Sequence, residues 1–455
     1  MLKYVSTRGL APPCDFAGTV IDGIASDGGL FAPAQWPRLD LVAPGQGAAG
    51  YAGLAERLLT PFVGASLPEG ALAAATRRVQ DRVAHPRTVP LVEIAPDLFV
   101  LELFHGPTAA FKDLAMQLVA GLSEAALAQS GERLLLFTAT SGDTGAAAVN
   151  AFAGADRVDL VVLHPLDRVS PVQRLQMTTS GASNLLNLAV RGDFDDCQRL
   201  VKALLAEPGL KASRHVSSVN SINWARLAGQ MPYYAAAAAT LGRPATYVVP
   251  TGNFGDAFAG WAARRCGLPV GGIVAATNRN DALVRALDTG VYERSQARPT
   301  ASVSMDVQAP SNFERLVFEA SGRDADLTRG LFADFARDGR MTLPDDLLAA
   351  LRREVTAVSV SEAETVEEMR RSWADNGRVI CPHTAVALHA ARRADRTAGP
   401  VVALSTAHPA KFPESVEAAL GFAPERPPQL EGLEGRTERF EMVDPTLEAV
   451  LAAVA

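Results

Sequence analysis

Through most of the chain, short unbroken runs of apolar residues alternate with longer stretches whose apolar positions recur at helical spacing. The runs are Leu134–Thr140, Val158–Pro165, Leu185–Val190, Ala245–Pro250, Gly271–Thr277 and Pro400–Ala407, each bounded by turn-forming residues. Runs without in–out alternation predict strands covered on both faces. Helical patterns lie between them at Leu114–Gln129, Asp193–Leu205, Ala225–Leu241 and Asp256–Cys266. Strand–helix alternation of this kind predicts an α/β fold with mostly parallel sheets. Ligands of such folds bind at the carboxyl ends of strands, so chemistry is sought just after each run.

Upstream of about Leu98 the texture is mixed, with a helical pattern at Tyr51–Val63 and turns at Ser26–Pro33 and around Gly45–Gly50. From about Ala423 the chain becomes polar and rich in Pro and Gly before a short helical end at Leu447–Val454. The expected organisation is an N-terminal segment over residues 1–95, a catalytic α/β region over 96–425 built of two subdomains, and a surface tail or docking segment over 426–455. A length of 455 residues agrees with more than one core.

Composition narrows the function classes. A net charge of −7 argues against a dedicated nucleic-acid surface, which needs a basic footprint. Cys14, Cys197, Cys266 and Cys381 are far apart with no CxxC pair, a pattern that gives neither a disulfide framework nor a zinc site, and no metal is expected. The opening MLKYVSTRGLAPPCDF has no apolar signal-peptide core. No apolar run nears the roughly 20 residues of a membrane helix, so a cytoplasmic protein is expected.

Three places carry candidate chemistry. After Leu134–Thr140 comes Ser141-Gly142-Asp143-Thr144-Gly145, turning into a helix. Glycines allow the sharp turn, and the first free N–H groups of the helix favour an anion. Without a following Gly-Lys-Ser/Thr it is not a P-loop, and a plain capped turn is the competing reading. After Ala245–Pro250 comes Thr251-Gly252-Asn253-Phe254-Gly255-Asp256, a second loop of the same design. Two such loops suggest a ligand with two anionic groups, or a substrate and a cofactor. The third place is Lys112, flanked by Ala109, Ala110 and Phe111 and by Leu114 and Ala115. Lysines are usually solvated, but desolvation here would lower the pKa and make the amine nucleophilic.

HGPTAAFKD (His105–Asp113), TSGDTG, NSINWARL (Asn220–Leu227), PTGNFGD, MDVQAPSNFER (Met305–Arg315) and STAHPAKF (Ser405–Phe412), with the opening YVSTRG and SDGGLFAP, together resemble the threonine synthase family in its longer branch. That family belongs to the fold-type II pyridoxal 5′-phosphate (PLP) enzymes, with a fold like the tryptophan synthase β subunit and the cofactor held between two subdomains. The resemblance implies conversion of O-phospho-L-homoserine and water to L-threonine and phosphate. It also implies roles. Lys112 would carry the cofactor as an imine and shuttle protons. Gly252, Asn253, Phe254, Gly255 and Asp256 would hold the cofactor phosphate, Asp143 would face its 3′-oxygen, Thr406 its pyridine nitrogen, and Phe111 would pack near its ring. Ser141 and Thr144 would receive the substrate carboxylate, and Ser221, Asn223 and Arg226 the substrate phosphate. Cys381 departs from the pattern, which usually has Asp before Pro-His-Thr. His383 and Thr384 match it, and both could simply cap the following helix.

Two other readings stand beside this one. A threonine or serine dehydratase would share the lysine and the SGDTG-like loop but would not need NSINWARL as a second phosphate site. A non-catalytic homologue binding phospho-ligands would have no need of a reactive Lys112. Oligomeric state is left open.

Overall fold

The computed structural model describes residues 1–39 and 50–454. The turn around Gly45–Gly50 falls almost wholly outside them. Among the described residues two larger sheets organise the chain. One has six strands in the order Thr356–Ser359, Val270–Thr277, Ala245–Pro250, Val401–Ser405, Leu98–Glu102 and Leu91–Ala95, all parallel except the last. The other has five parallel strands in the order Glu441–Val443, Leu185–Val190, Val158–Pro165, Leu134–Ala139 and His215–Ser218. Every residue of Leu134–Ala139 and of Val401–Ser405 is buried, as expected for strands with helices on both faces. The six apolar runs are all strands, with ends within two residues of the expected ones.

The long helix Lys112–Ser130 packs among the helices Phe16–Asp22, Ala71–Asp81, Asp143–Phe152 and Trp224–Ala228, burying Leu114–Ala120 without interruption. It ends where Gly131, at φ 76°, turns its N–H back to the Leu127 carbonyl, a conformation open to glycine at no cost in sterics. The stretch expected as one helix over Ala225–Leu241 is two, Trp224–Ala228 and Met231–Leu241. Pro232 has no N–H to give to the preceding turn, so the first helix cannot run on through it.

The residues from 426 onward do not form a loose tail. Glu441–Val443 adds a parallel edge strand to the five-stranded sheet beside Leu185–Val190. Leu430, Val443 and Val450 are buried, the last two in a core shared with the helix Phe194–Ala206. The apolar face of Leu447–Val454 explains this docking. No helix among the described residues is long and apolar enough to cross a membrane.

Candidate active site

Four strands end at one cavity. Leu98–Glu102 leads to Phe111 and Lys112, Leu134–Ala139 to Thr140–Thr144, Ala245–Pro250 to Thr251–Asp256, and Val401–Ser405 to Thr406, and the side chains or backbone of these loops line it. Lys112 and Thr406 are fixed to one another by backbone: Phe111 N–H donates to the Thr406 carbonyl at 2.8 Å, and His408 N–H to the Ala109 carbonyl at 3.0 Å. Asp113 shapes the turn before Lys112 by accepting from the Thr108 hydroxyl at 2.6 Å and its N–H at 2.8 Å. Burial raises the Asp113 carboxyl to about 6.

Lys112 Nζ lies 3.3 Å from Asp143 Oδ2 and 5.0 Å from the centre of the Phe111 ring, and 12% of its side-chain surface remains open to the cavity. Burial lowers its pKa; Asp143 pulls the other way, while Arg226 and Lys411 add to the fall. Asp143 is buried, which alone would raise its pKa, yet Lys411 and Lys112, with Gln173 donating at 2.9 Å, hold it well below the usual carboxylate range. The site thus holds an amine readily freed of its proton beside a carboxylate that keeps its charge.

The turn after Leu134–Ala139 is organised by a residue the sequence did not single out. Thr140 Oγ1 accepts from the N–H of Gly142 at 2.9 Å and of Gly145 at 2.8 Å. Gly142 sits at φ 130°, and a Cβ there would stand 2.2 Å from the Gln173 side chain, so only glycine fits. Ser141 and Thr144 face the cavity at the start of the helix Asp143–Phe152, whose first amides have no partner inside the helix.

The second loop places Gly252, Asn253, Phe254, Gly255 and Asp256 on the cavity wall. Phe254 takes the left-handed conformation, φ 62°, as the helix Gly255–Arg265 begins. A Cβ on Gly252 would come within 2.6 Å of the Ser304 carbonyl. The Asp256 side chain is turned to two phenols, Tyr233 at 2.5 Å and Tyr234 at 2.8 Å, and burial raises its carboxyl to about 6. What Asp256 offers an anion is its backbone N–H.

Arg226 and Ser221 line the cavity; Asn223 does not. Asn223 is fully buried, accepting from Ala225 N–H at 2.9 Å as the cap of Trp224–Ala228 and donating to the Val20 carbonyl at 3.2 Å. Its neighbour Asn220 reaches the wall instead. Arg226 donates to the Val219 carbonyl at 2.7 Å and stands 3.5 Å from the Thr144 hydroxyl. Among the described residues no carboxylate pairs with it, and burial lowers it to about 10. A buried guanidinium without a countercharge is a site for an anion.

Further wall residues come from motifs the sequence showed only as text. His383 Nε2 accepts from Ser304 N–H at 3.1 Å, pinning the segment 303–305, and burial lowers the imidazole to about 4, so it is neutral. Cys381 caps the helix Pro382–Arg393 through its sulfur, 3.5 Å from Thr384 N–H. Capping is a task Asp performs with a better acceptor, so the departure at 381 changes the cap and not the cavity wall.

A family model described as pyridoxal-phosphate dependent enzyme matches residues 85–407, and models described as threonine synthase N terminus and threonine synthase, C-terminal match 3–79 and 384–454. The chain is 42% identical over 461 residues to the threonine synthase of Pseudomonas aeruginosa, spanning 100% of this chain and 98% of that one. It is 37% identical to human threonine synthase-like 2, over 97% of this chain and 93% of the other. It superposes on the crystal structure of PLP-bound threonine synthase from Brucella melitensis with a TM-score of 0.94 at 44% identity, covering 100% of this chain and 99% of that one. A threonine deaminase structure at 19% identity and TM-score 0.51, covering 75% of this chain and 98% of its own, shares the fold alone. The cavity itself fits the cofactor: a desolvated primary amine for an aldehyde, a helix start whose one acidic side chain, Asp256, is turned to two phenols and leaves the first amides for a phosphate, and a buried hydroxyl at Thr406.

Proposed function

The chain belongs to the threonine synthase family of fold-type II PLP-dependent enzymes, and from that premise we propose that it converts O-phospho-L-homoserine and water to L-threonine and phosphate. The observation that carries the choice of substrate is Arg226, a buried cation with no acid partner among the described residues, which opens on the same cavity as Lys112. Its guanidinium lies 3.5 Å from the Thr144 hydroxyl, so a carboxylate site and a phosphate site adjoin, which suits a short amino acid with an anion at each end. A dehydratase acting on threonine or serine has no second anion to place there.

PLP, when bound, is an electron sink that makes the protons on the α and β carbons of an amino acid removable. Lys112 would hold its aldehyde carbon, the first-turn amides after Phe254 its phosphate, Asp143 Oδ2 its 3′-oxygen and Thr406 its ring nitrogen. Lys112, freed by arriving substrate, takes and returns protons at Nζ, and burial, by lowering its pKa, favours the unprotonated amine that can accept one. Ser141, Thr144 and the amides of their turn hold the substrate carboxylate. Arg226 and Ser221 hold the phosphate and stabilise it as it departs from Cγ. In balance, Cβ loses one proton and gains the hydroxyl of water, the Cγ–O bond breaks and Cγ gains one proton, and the remaining proton leaves with phosphate as hydrogen phosphate. His383, being neutral and committed to Ser304 N–H, keeps the segment 303–305 over the cavity without competing for these protons.

The test is stoichiometry. Purified chain given O-phospho-L-homoserine should release phosphate and form threonine in equal amounts, and should form no oxo acid from threonine. Oxo acid from threonine, with phosphohomoserine untouched, would make it a dehydratase instead.

A further inference from the structure

Lys411 has no exposed side-chain surface and stands behind the cavity wall, not on it. Its ammonium lies 2.7 Å from Asp143 Oδ1 and donates to the Thr108 carbonyl at 2.8 Å. It is held there by a short turn, Pro409–Lys411, capped by the His408 ring at 3.2 Å. Gln173 occupies the same carboxylate oxygen at 2.9 Å. The other oxygen is approached only loosely, by Lys112 at 3.3 Å and the Ser304 hydroxyl at 3.4 Å. One side of the carboxylate is closed by the Lys411 side chain and Gln173, and the other faces the reacting centre.

We propose that Lys411 is a positioning residue that neutralises Asp143, so that the pair offers Lys112 and the cofactor an oxygen acceptor without net charge. The proposal rests on the cofactor reading above. Without Lys411, Asp143 would turn its whole charge on Lys112 and hold it as an ion pair, and an ammonium is no nucleophile. The other charged or titratable groups facing Lys112 are Arg226, Asp256 and His383. Asp256 is spoken for by its two tyrosines and His383 by Ser304. Arg226 faces Nζ directly, whereas Lys411 acts through the Asp143 carboxylate, so removing Lys411 changes the charge that Asp143 presents to Nζ. A neutral pair and a neutral amide are electrostatically equivalent at that oxygen, which makes the idea testable by double substitution.

Wild type, Lys411→Met and Asp143→Asn/Lys411→Met are compared as full-length protein with PLP added, following the pH midpoint of the visible band of the lysine-bound cofactor. Loss of the cation in Lys411→Met should raise the midpoint by about one to two pH units, the usual effect of an uncompensated neighbouring carboxylate. The double substitution should bring it back to within a few tenths of a unit of wild type. If Lys411→Met instead loses the cofactor, binding should return in the double variant. An unmoved midpoint in Lys411→Met, or a double variant no nearer wild type than the single one, would overturn the proposal and leave Lys411 a structural strut. A wild type without any such band would count against the cofactor reading instead.

Discussion

Two buried side chains at the cavity carry charge arguments that single substitutions can check. Asp256 has a folded pKa of about 6 against the ordinary aspartate value of 3.8, so between those pH values the native chain keeps a proton that the unfolded chain has released. Stability therefore falls as pH rises from about 4 to about 6. Replacing Asp256 by Asn keeps an acceptor for Tyr233 and Tyr234 and removes the titration. Urea midpoints of Asp256→Asn should rise relative to wild type across that window, by on the order of 2–3 kcal/mol in all; parallel curves would mean the carboxyl is ionised throughout. Arg226 is the residue that the proposed reaction sets against the substrate phosphate. Losing its charge-assisted hydrogen bonds should cost roughly 2–4 kcal/mol in kcat/KM, about thirtyfold to a thousandfold. The affinity for PLP should change little in Arg226→Ala. Should the variant lose the cofactor and keep its KM, the two phosphate sites have been exchanged.

At the scale of elements, the strands and the loops after them were legible because continuous burial and turn chemistry are written locally. Lys112, Ser141, Thr144 and residues 252–256 were found that way, and they do meet at one cavity. What was not legible is which distant elements lean on them. Gln173 and Lys411 reach Asp143 from helices 30 and 268 residues further along the chain, a juxtaposition no local pattern encodes. Within NSINWARL, spacing could not tell that Asn220 lines the wall while Asn223 caps a helix. The most family-specific text serves assembly more than chemistry. In MDVQAPSNFER, Asn312 bridges the carbonyls of Ser221 and Asn253 at 3.1 Å each, and fully buried Arg315 donates to Phe31 at 2.8 Å and Ile222 at 2.6 Å. Glu314 takes Arg8 at 2.9 Å and the Thr7 hydroxyl at 2.6 Å, so YVSTRG and MDVQAPSNFER are two halves of one joint. Arg315→Met should strand those carbonyls and destabilise the chain by about 3–5 kcal/mol, read as a lower denaturation midpoint. A loss below about 1 kcal/mol would show that water replaces the guanidinium there.

For the whole molecule, the parallel strands of the two larger sheets present their carboxyl ends to a common cavity, and the chain's last segment closes the outer edge of one sheet. Met442 is exposed while Val443 and Val450 are buried, so the edge strand and final helix cover apolar surface that a shorter chain would show to water. Ending the chain after residue 425 should uncover the strand Leu185–Val190 and the apolar face of Phe194–Ala206, giving protein that aggregates on mild heating. A truncated chain as soluble and as stable as the full one would mean that this contact contributes little. The central claim concerns a single nitrogen atom, and two buried lysines share its neighbourhood, which makes the assignment sharp. Holoprotein reduced with borohydride, digested and sequenced by mass spectrometry should carry the cofactor on Lys112, and Lys112→Ala should fold normally, carry none and turn nothing over. Label on Lys411 or on no lysine at all, or full turnover in Lys112→Ala, would contradict the account.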